Sequence, residues 1–281
     1  MNDLGSPVCR AQLTPKVFLV GLLTSRIWVR FSLDRLSALN QGGKLLSKYG
    51  TEQVGISAEV ALADLSGVKV DHLYRDRGRP DLIMHIRPTL ASIISEFPTP
   101  IEHVAEDQNP IDFLLEGGES LSVKTNMREA GKVAPQNIGQ PTSATFWARL
   151  PQLIPEGVDI GSLSYPESAK IFKHVAQTRT TDLLKEYWKN LFDCDYLLYV
   201  FDVLDRDDNL TDRPRAKVFK KSQSPEWKTS KFAFTQALSD WNESCTVKYE
   251  SVSIGEFQIH NNRNCFKFRF NLGGLIQVGL L

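Results

Sequence analysis

Two short apolar-rich runs lie on either side of a polar, glycine-containing centre near the middle of the chain, which is typical of a β-hairpin. Two apolar-rich runs, residues 111–115 and 121–123, flank a Glu-Gly-Gly-Glu centre at residues 116–119. Glycine suits the positive φ angles that a tight turn between two strands requires. Residues 109–126 are therefore expected to form a β-hairpin.

Two stretches before this hairpin carry the apolar spacing of helices. Leucines recur at helical intervals within residues 13–49, so residues 1–50 are expected to form a helical N-terminal region. A second helix is expected to start with Ser57 as its N-cap and to stop at Gly67. Glu59 would then lie in the first turn, where the helix dipole favours an anion.

Two more helical tracts follow the same spacing. Pro80 and Asp81 precede a run with a period near 3.6 residues, so this dipeptide is expected to start a helix, with Pro88 as a kink or break. The longest helical tract is expected over residues 166–194, where apolar side chains form one stripe.

Strands are expected again in the second half of the chain. Residues 195–204 form a near-continuous apolar run, which is typical of a central strand buried on both faces. Residues 251–272 predict a C-terminal hairpin whose tip is His-Asn-Asn-Arg-Asn at 260–264. Lys267 and Arg269 alternate with phenylalanines there, so one face is expected to be apolar and the other basic.

Composition narrows the class of protein. The chain has 281 residues, of which 42% are hydrophobic and 23% charged, with 33 basic and 33 acidic side chains. Zero net charge argues against a protein that coats nucleic acid without specificity, but permits a DNA enzyme whose positive charge lies in one cleft. The four cysteines form no C-x-x-C pair and the five histidines are scattered, so no zinc or histidine metal centre is expected. Without a signal peptide or a membrane-spanning run, a cytoplasmic protein is expected.

The register of the first hairpin decides which side chains share a face. A two-residue Gly-Gly turn would pair Asp112 with Val123 and leave Lys124 on the opposite face. A three-residue loop, 116–118 or 117–119, would instead pair Asp112 with Ser122 or with Lys124. Ser122 and Lys124 are two residues apart and share a face in any register. We expect the odd-length loop, or a bulge of equal effect.

These residues carry a family resemblance. Pro110-Ile111-Asp112, nine residues, and then Ser122-Val123-Lys124 resembles the motif of the PD-(D/E)xK nucleases, with Ser122 where the family has an acid. The resemblance implies a type II restriction endonuclease with an α/β (α+β) fold, in which helices flank a central mixed sheet. One endonuclease domain over residues 1–281 is expected, with a catalytic core over 51–281.

The resemblance also implies roles for individual residues. Asp112 and the Val123 carbonyl would bind Mg²⁺, Ser122 would complete the motif, and Lys124 would position and polarise the attacking water. The anion that Ser122 lacks would come from Glu59, ahead of Glu116 or Glu119, which lie near the turn. Alternatively, the site would hold a single metal and rely on a hydrogen-bonded water. The helix dipole offers Glu59 an alternative, structural role.

Two polar segments are candidates for contacting DNA. The stretch 125–144 is expected to be a recognition loop, and the C-terminal hairpin a base-reading ribbon. A solvated loop and an edge hairpin protected by its charges are the structural alternatives. The candidate DNA-binding residues are Arg128, Lys132, Gln136, Asn137, Gln140 and Thr142 in the loop, and His260, Asn261, Asn262, Arg263, Lys267 and Arg269 in the hairpin.

The expected function is therefore Mg²⁺-dependent, site-specific cleavage of double-stranded DNA that leaves 5′-phosphates. Two alternatives remain open: a repair or junction nuclease with the same core, and a non-catalytic DNA-binding protein in which Ser122 marks a dead site. The resemblance further implies a prokaryotic, cytoplasmic protein with a cognate DNA methyltransferase, and it is compatible with a homodimer.

Overall fold

Nine strands and seven helices build the part of the chain that this computed structural model describes, which is residues 48–105, 109–128, 131–135 and 137–281. The expected helical region 1–50 lies almost entirely outside these residues, and its place in one domain of 281 residues stays a prediction. Residues Tyr49–Leu281 form one compact unit. Of the helices described, none is long and apolar enough to cross a membrane.

The elements follow each other in a mixed order along the chain. The helices are α1 (Thr51–Ser66), α2 (His72–Asp76), α3 (Pro80–Ala91), α4 (Ser143–Arg149), α5 (Tyr165–Thr178), α6 (Thr180–Leu191) and α7 (Leu272–Gln277). The strands are β1 (Pro100–His103), β2 (Phe113–Leu115), β3 (Ser120–Thr125), β4 (Tyr196–Phe201), β5 (Arg215–Lys220), β6 (Phe232–Phe234), β7 (Ser244–Tyr249), β8 (Val252–His260) and β9 (Cys265–Phe270).

The first five strands form a mixed sheet in the order β1-β2-β3-β4-β5. Only β3 and β4 run parallel in it; the other neighbours are antiparallel. All six residues of β4 are buried, because Leu198 and Val200 pack with α1 and α3 on one face while Leu197 and Tyr199 pack with α5 and α6 on the other. The expected central mixed sheet flanked by helices is confirmed.

The last four strands form a second, antiparallel sheet in the order β6-β7-β8-β9. Its apolar face packs on α5 and α6, where Phe172 stacks on Phe266 and Tyr187 on Phe268, each with ring centroids 4.3 Å apart. The C-terminal hairpin predicted at 251–272 is present as β8 and β9. It is not a free two-stranded ribbon, however, because β7 pairs along β8 and extends it into a sheet.

The helix predicted from Ser57 starts earlier than expected. α1 begins at Thr51 after Gly50, so Ser57 is not its N-cap; the Ser57 hydroxyl instead accepts a hydrogen bond from the Arg79 amide at 2.9 Å. Buried Val54 extends the apolar face of α1 toward its start, which accounts for the longer helix. Gly67 ends the helix with φ +71°, as predicted.

Two further helix predictions are refined. α3 starts at Pro80 as expected, but it continues through Pro88 to Ala91 instead of breaking. The long tract at 166–194 is two helices, because the backbone leaves the helical region at Arg179, with φ −122° and ψ 34°.

The stretch after β3 is not a solvated loop, the structural alternative to the predicted recognition loop. Val133 exchanges backbone hydrogen bonds of 2.8 and 2.7 Å with Phe270, and the Phe268 amide donates to the Gly139 carbonyl at 2.9 Å. Val133 and Ile138 are buried in the core that α5, α6 and the second sheet share. This segment therefore covers the open edge of β9, which would otherwise expose unpaired backbone groups.

Candidate active site

The turn between β2 and β3 has the odd length that the site requires. Phe113 lies opposite Leu121, and the Leu115 amide donates to the Glu119 carbonyl at 2.8 Å, which leaves residues 116–118 as the loop. Gly117 and Gly118 have φ angles of +86° and +83°, a region that glycine enters without steric cost. The expected three-residue loop is confirmed.

The regular pairing with β3 ends at Phe113. At the preceding residue, the Asp112 side chain takes the place of a backbone acceptor. Continued pairing would have the Val123 amide donate to the carbonyl of residue 111. Instead this amide donates to Asp112 Oδ2 at 2.5 Å, and the Ser122 hydroxyl donates to the same oxygen at 3.0 Å. The Asp112 carboxylate is thereby fixed at the open end of the hairpin, on the side of Ser122.

Asp112 is buried among charged groups. Burial raises the pKa of its carboxyl group to about 6, because an ionised carboxylate loses hydration. The Lys124 ammonium acts in the opposite direction, and the Glu59 carboxylate raises the pKa further. The Val123 amide and the Ser122 hydroxyl favour the ionised form. Lys124 and Glu59 therefore lie close enough to Asp112 to affect the pKa of its carboxyl group.

Lys124 is half-buried and follows Ser122 by two residues on β3, beside Tyr199 of β4. Within the described residues, no hydrogen bond or ion pair holds its ammonium group. Its three N–H donors remain available to a ligand next to Asp112.

Glu59 lies in the middle of α1, not in its first turn, so the helix dipole does not explain it. Its buried carboxylate accepts two hydrogen bonds on the same oxygen, Oε2: from the Tyr74 hydroxyl at 2.6 Å and from His103 Nε2 at 3.1 Å. Sequence reasoning missed both partners. Tyr74 lies in a charged stretch between two predicted helices and His103 at the end of a short strand, so neither carried a local signal.

Glu116 and Glu119, the other candidates for the missing anion, lie at the turn, and Glu116 is exposed. They are at the opposite end of the hairpin from Asp112. The described residues contain no group of three or more His, Cys, Asp or Glu side chains arranged to hold a metal. The site offers two carboxylates, those of Asp112 and Glu59, each with one oxygen engaged by protein donors. Oxygen donors of this kind suit Mg²⁺ rather than a softer metal.

Three residues of the predicted recognition loop have structural partners. The Arg128 guanidinium binds the turn at 205–208, including Asp208 Oδ1 at 2.8 Å. Lys132 Nζ contacts Glu256 Oε2 at 2.9 Å. Thr142 caps α4 by accepting a hydrogen bond from the Thr145 amide at 3.2 Å. Each would have to exchange or share a partner in order to contact DNA.

The remaining loop candidates are less constrained. Asn137 and Gln140 are exposed, although the Asn137 carbonyl accepts a hydrogen bond from Arg149. Gln136 lies outside the described residues.

The polar face of β8 and β9 holds one acid among several bases. Glu256 Oε2 accepts from Arg269 Nη2 as well as from Lys132, both at 2.9 Å. Burial would raise the pKa of Glu256, but these two cations lower it on balance. Glu256 was not predicted as a site residue. Within the described residues, Arg269 Nε is buried and has no acceptor.

The hairpin tip carries the most accessible candidates. Asn261, Asn262 and Arg263 are exposed, and the described residues provide no side-chain partner for them. Burial, followed by the charges of Lys267 and Arg263, lowers the pKa of His260. Positive charge thus accumulates from the half-buried face of β9 to the tip.

Among curated proteins, the chain is similar to a type II restriction enzyme, CviAII of Paramecium bursaria Chlorella virus 1, with 29% identity over 231 residues. The match covers 82% of this chain and 60% of that enzyme, so the chain spans less than two thirds of its relative's length. No protein-family model matches the chain, and no solved structure gives a significant match.

Proposed function

We propose that this chain, a homologue of a type II restriction enzyme, is a site-specific endonuclease of double-stranded DNA. It would hydrolyse phosphodiester bonds with Mg²⁺ and leave 5′-phosphates. The arrangement of Asp112, Ser122 and Lys124 at the open end of one hairpin, with Glu59 beside it, is the observation that carries the proposal. We assign the chain to the PD-(D/E)xK nucleases on the same basis, with Glu59 supplying the acid that Ser122 lacks.

The metal would be held by Asp112, Glu59 and the Val123 carbonyl, all oxygen donors. When bound, Mg²⁺ supplies a Lewis acid that neutralises charge on the scissile phosphate and acidifies water. Two carboxylates that repel each other across a buried site are a favourable place for a cation. Asp112 and Glu59 each keep one oxygen, Oδ1 and Oε1, outside the hydrogen bonds that the described residues make to them.

Lys124 would orient and polarise the attacking water with its N–H donors. The water oxygen forms a bond to phosphorus, the bond from phosphorus to O3′ breaks, one water proton is released, and O3′ takes up a proton from solvent. Ser122 has no charge to contribute. Its hydroxyl fixes the Asp112 carboxylate, so Ser122 acts through Asp112.

For DNA contacts we propose the C-terminal hairpin tip first, because Arg263, Asn261 and Asn262 are exposed and unpaired among the described residues. Arginine can bond bidentately to guanine and asparagine to adenine. His260, Lys267 and Arg269 would supply the adjoining surface. Residues 125–144, with Lys132 and Gln140, would contribute from the segment that covers β9.

The proposal extends to partners. An enzyme that cleaves DNA at defined sequences endangers the DNA of its own cell, so a cognate methyltransferase is expected to protect those sequences. A homodimer would place two cleavage sites on the two strands of a symmetric target.

Digestion of plasmid DNA by the purified protein tests the function. We expect discrete fragments in the presence of Mg²⁺, none with EDTA, and none from a Lys124→Ala variant that still binds DNA. Sequencing the fragment ends identifies the target and the 5′-phosphate. Cleavage confined to branched or damaged DNA would favour a repair or junction nuclease. Binding without nicking in either Mg²⁺ or Mn²⁺ would favour a non-catalytic DNA-binding protein.

A further inference from the structure

Two elements other than its own helix supply hydrogen-bond donors to one oxygen of Glu59. Tyr74 comes from α2 and His103 from the end of β1, and they are 15 and 44 residues away from Glu59 in sequence. Both donate to Oε2. Among the described residues, no donor bonds to Oε1.

The two donors are themselves held in place by ring contacts. The His103 ring meets the Tyr74 ring edge-on at 4.8 Å between centroids, and it meets the Phe113 ring in the same manner at 5.0 Å. Phe113 directly follows Asp112 and is fully buried. The position of His103 is thus tied to the start of β2, where Asp112 leaves the ladder.

We infer that Tyr74 and His103 are positioning residues that orient the Glu59 carboxylate, with Oε1 directed toward a divalent cation beside Asp112. This inference rests on the proposed function, in which Glu59 binds the metal. A single hydrogen bond would let the carboxylate rotate about its donor. Two donors from separate elements fix its plane, as the outer partners of metal ligands commonly do.

A merely structural role would use the same hydrogen bonds. A buried carboxylate costs free energy without partners, and Tyr74 and His103 satisfy that need whether or not a metal binds. The two roles differ in metal affinity, because only orientation of Glu59 changes how tightly the site holds a cation.

The test is calorimetric titration of the purified full chain with Mg²⁺ alone, and with Ca²⁺ alone, without DNA. We expect Tyr74→Phe and His103→Ala to weaken metal binding by about 10- to 100-fold, the range found for outer-shell partners. His103→Gln, which keeps an N–H donor, should recover part of this affinity. Cleavage by these variants should recover at high Mg²⁺, so the metal concentration for half-maximal rate rises more than the limiting rate falls.

Matched controls separate this effect from general disturbance. Tyr187→Phe also removes a buried hydroxyl, one without a partner among the described residues, and His174→Asn alters an exposed histidine. Both should bind metal as the wild-type chain does. Because Tyr74→Phe removes only one atom, it serves as the decisive variant if His103→Ala fails to fold.

Unchanged metal affinity in Tyr74→Phe and His103→Gln, with only a lower melting temperature, would overturn the inference. Unchanged affinity in Glu59→Gln would overturn it too, while Mg²⁺-dependent cleavage by the wild-type chain would leave the nuclease function intact. Failure of the wild-type chain to cleave any DNA would reject the function itself.

Discussion

The two hairpins of this protein bury different kinds of side chain. In the β2–β3 hairpin the buried side chains at the open end include the polar Asp112 and Ser122, and the Asp112 carboxylate accepts hydrogen bonds from the Ser122 hydroxyl and the Val123 amide. In the β8–β9 hairpin the buried side chains are apolar and include four phenylalanines, and the charges of Lys267 and Arg269 lie on a half-buried outer face. Burial of charge costs stability, whereas burial of aromatic rings gives stability.

The two hairpins also differ in what fixes the register of their strands. The β2–β3 loop of three residues has to set a register, because a shift of one residue would turn Lys124 or Asp112 to the wrong face. The β8–β9 pairing runs regularly from Gly255↔Phe270 to His260↔Cys265, and the aromatic alternation fixes it. The tip beyond it is therefore free to carry polar residues, which under the proposed function would contact DNA.

The largest change in cleavage rate is expected on substitution of the buried Asp112. Asp112→Asn should lower cleavage by at least about a thousandfold, since a catalytic metal is worth several kcal/mol to the transition state.

The same variant should stabilise the metal-free protein. Burial raises the pKa of Asp112 in the folded state to about 6, above its value in the unfolded chain. Protonated Asp112 therefore favours the folded state below the unfolded pKa. This contribution is lost as the pH rises through 6, where the buried carboxylate ionises.

We therefore expect Asp112→Asn to gain on the order of 1–3 kcal/mol at pH 8, and less as the pH falls to 5. Urea unfolding in EDTA at both pH values measures this difference. Asp193→Asn, at an exposed position, is the control and should change nothing. A variant that is no more stable than the wild-type chain at pH 8 would show that burying Asp112 carries no cost.

A substitution in the core of the C-terminal hairpin should lower the free energy of unfolding, whereas Asp112→Asn raises it. Phe266 is fully buried between Phe172, with which it stacks, and Phe146, which it meets edge-on at 5.4 Å. Phe266→Ala should lower the free energy of unfolding by about 3–5 kcal/mol, the usual cost of such a cavity. Phe266→Leu should lose about 1 kcal/mol.

Urea unfolding measures this loss as well, and cleavage by Phe266→Ala should persist at temperatures where the variant stays folded. An unchanged midpoint, or loss of cleavage in a fully folded variant, would contradict the assignment of Phe266 to a purely structural core.

The smallest effect is expected at the exposed tip. Arg263→Ala should weaken DNA binding several-fold without altering stability, and if Arg263 faces a phosphate the slope of log affinity against log salt should fall by about 0.9. A base contact would instead relax sequence preference. Fluorescence anisotropy at several salt concentrations measures the slope. Arg87→Ala, at an exposed position on α3, is the control; an equal effect there would exclude a specific role for the tip.

Local sequence patterns predicted a large part of the fold. The apolar runs around Glu116–Glu119 and the alternation at 251–272 predicted the two hairpins, the apolar run at 195–204 predicted β4, and Gly67 and Pro80 marked a helix end and a helix start. These features depend on neighbours within a few residues. The break at Arg179, the strands β6 and β7 beside the C-terminal hairpin, and the pairing of Val133, Gly139 and Pro141 with β9 depend on distant partners and were missed.

The candidate site likewise has one part that local sequence predicts and one part that depends on tertiary packing. Sequence alone determined that Asp112, Ser122 and Lys124 would share a face given an odd-length glycine turn, because side chains alternate along a strand. Only the tertiary structure decided the place of Glu59. The packing of α1 against β3 brings a mid-helix carboxylate to Asp112, and Tyr74 and His103 reach it from other elements. A contact across 44 residues of chain leaves no local pattern, because it forms only when the sheet and its helices pack together.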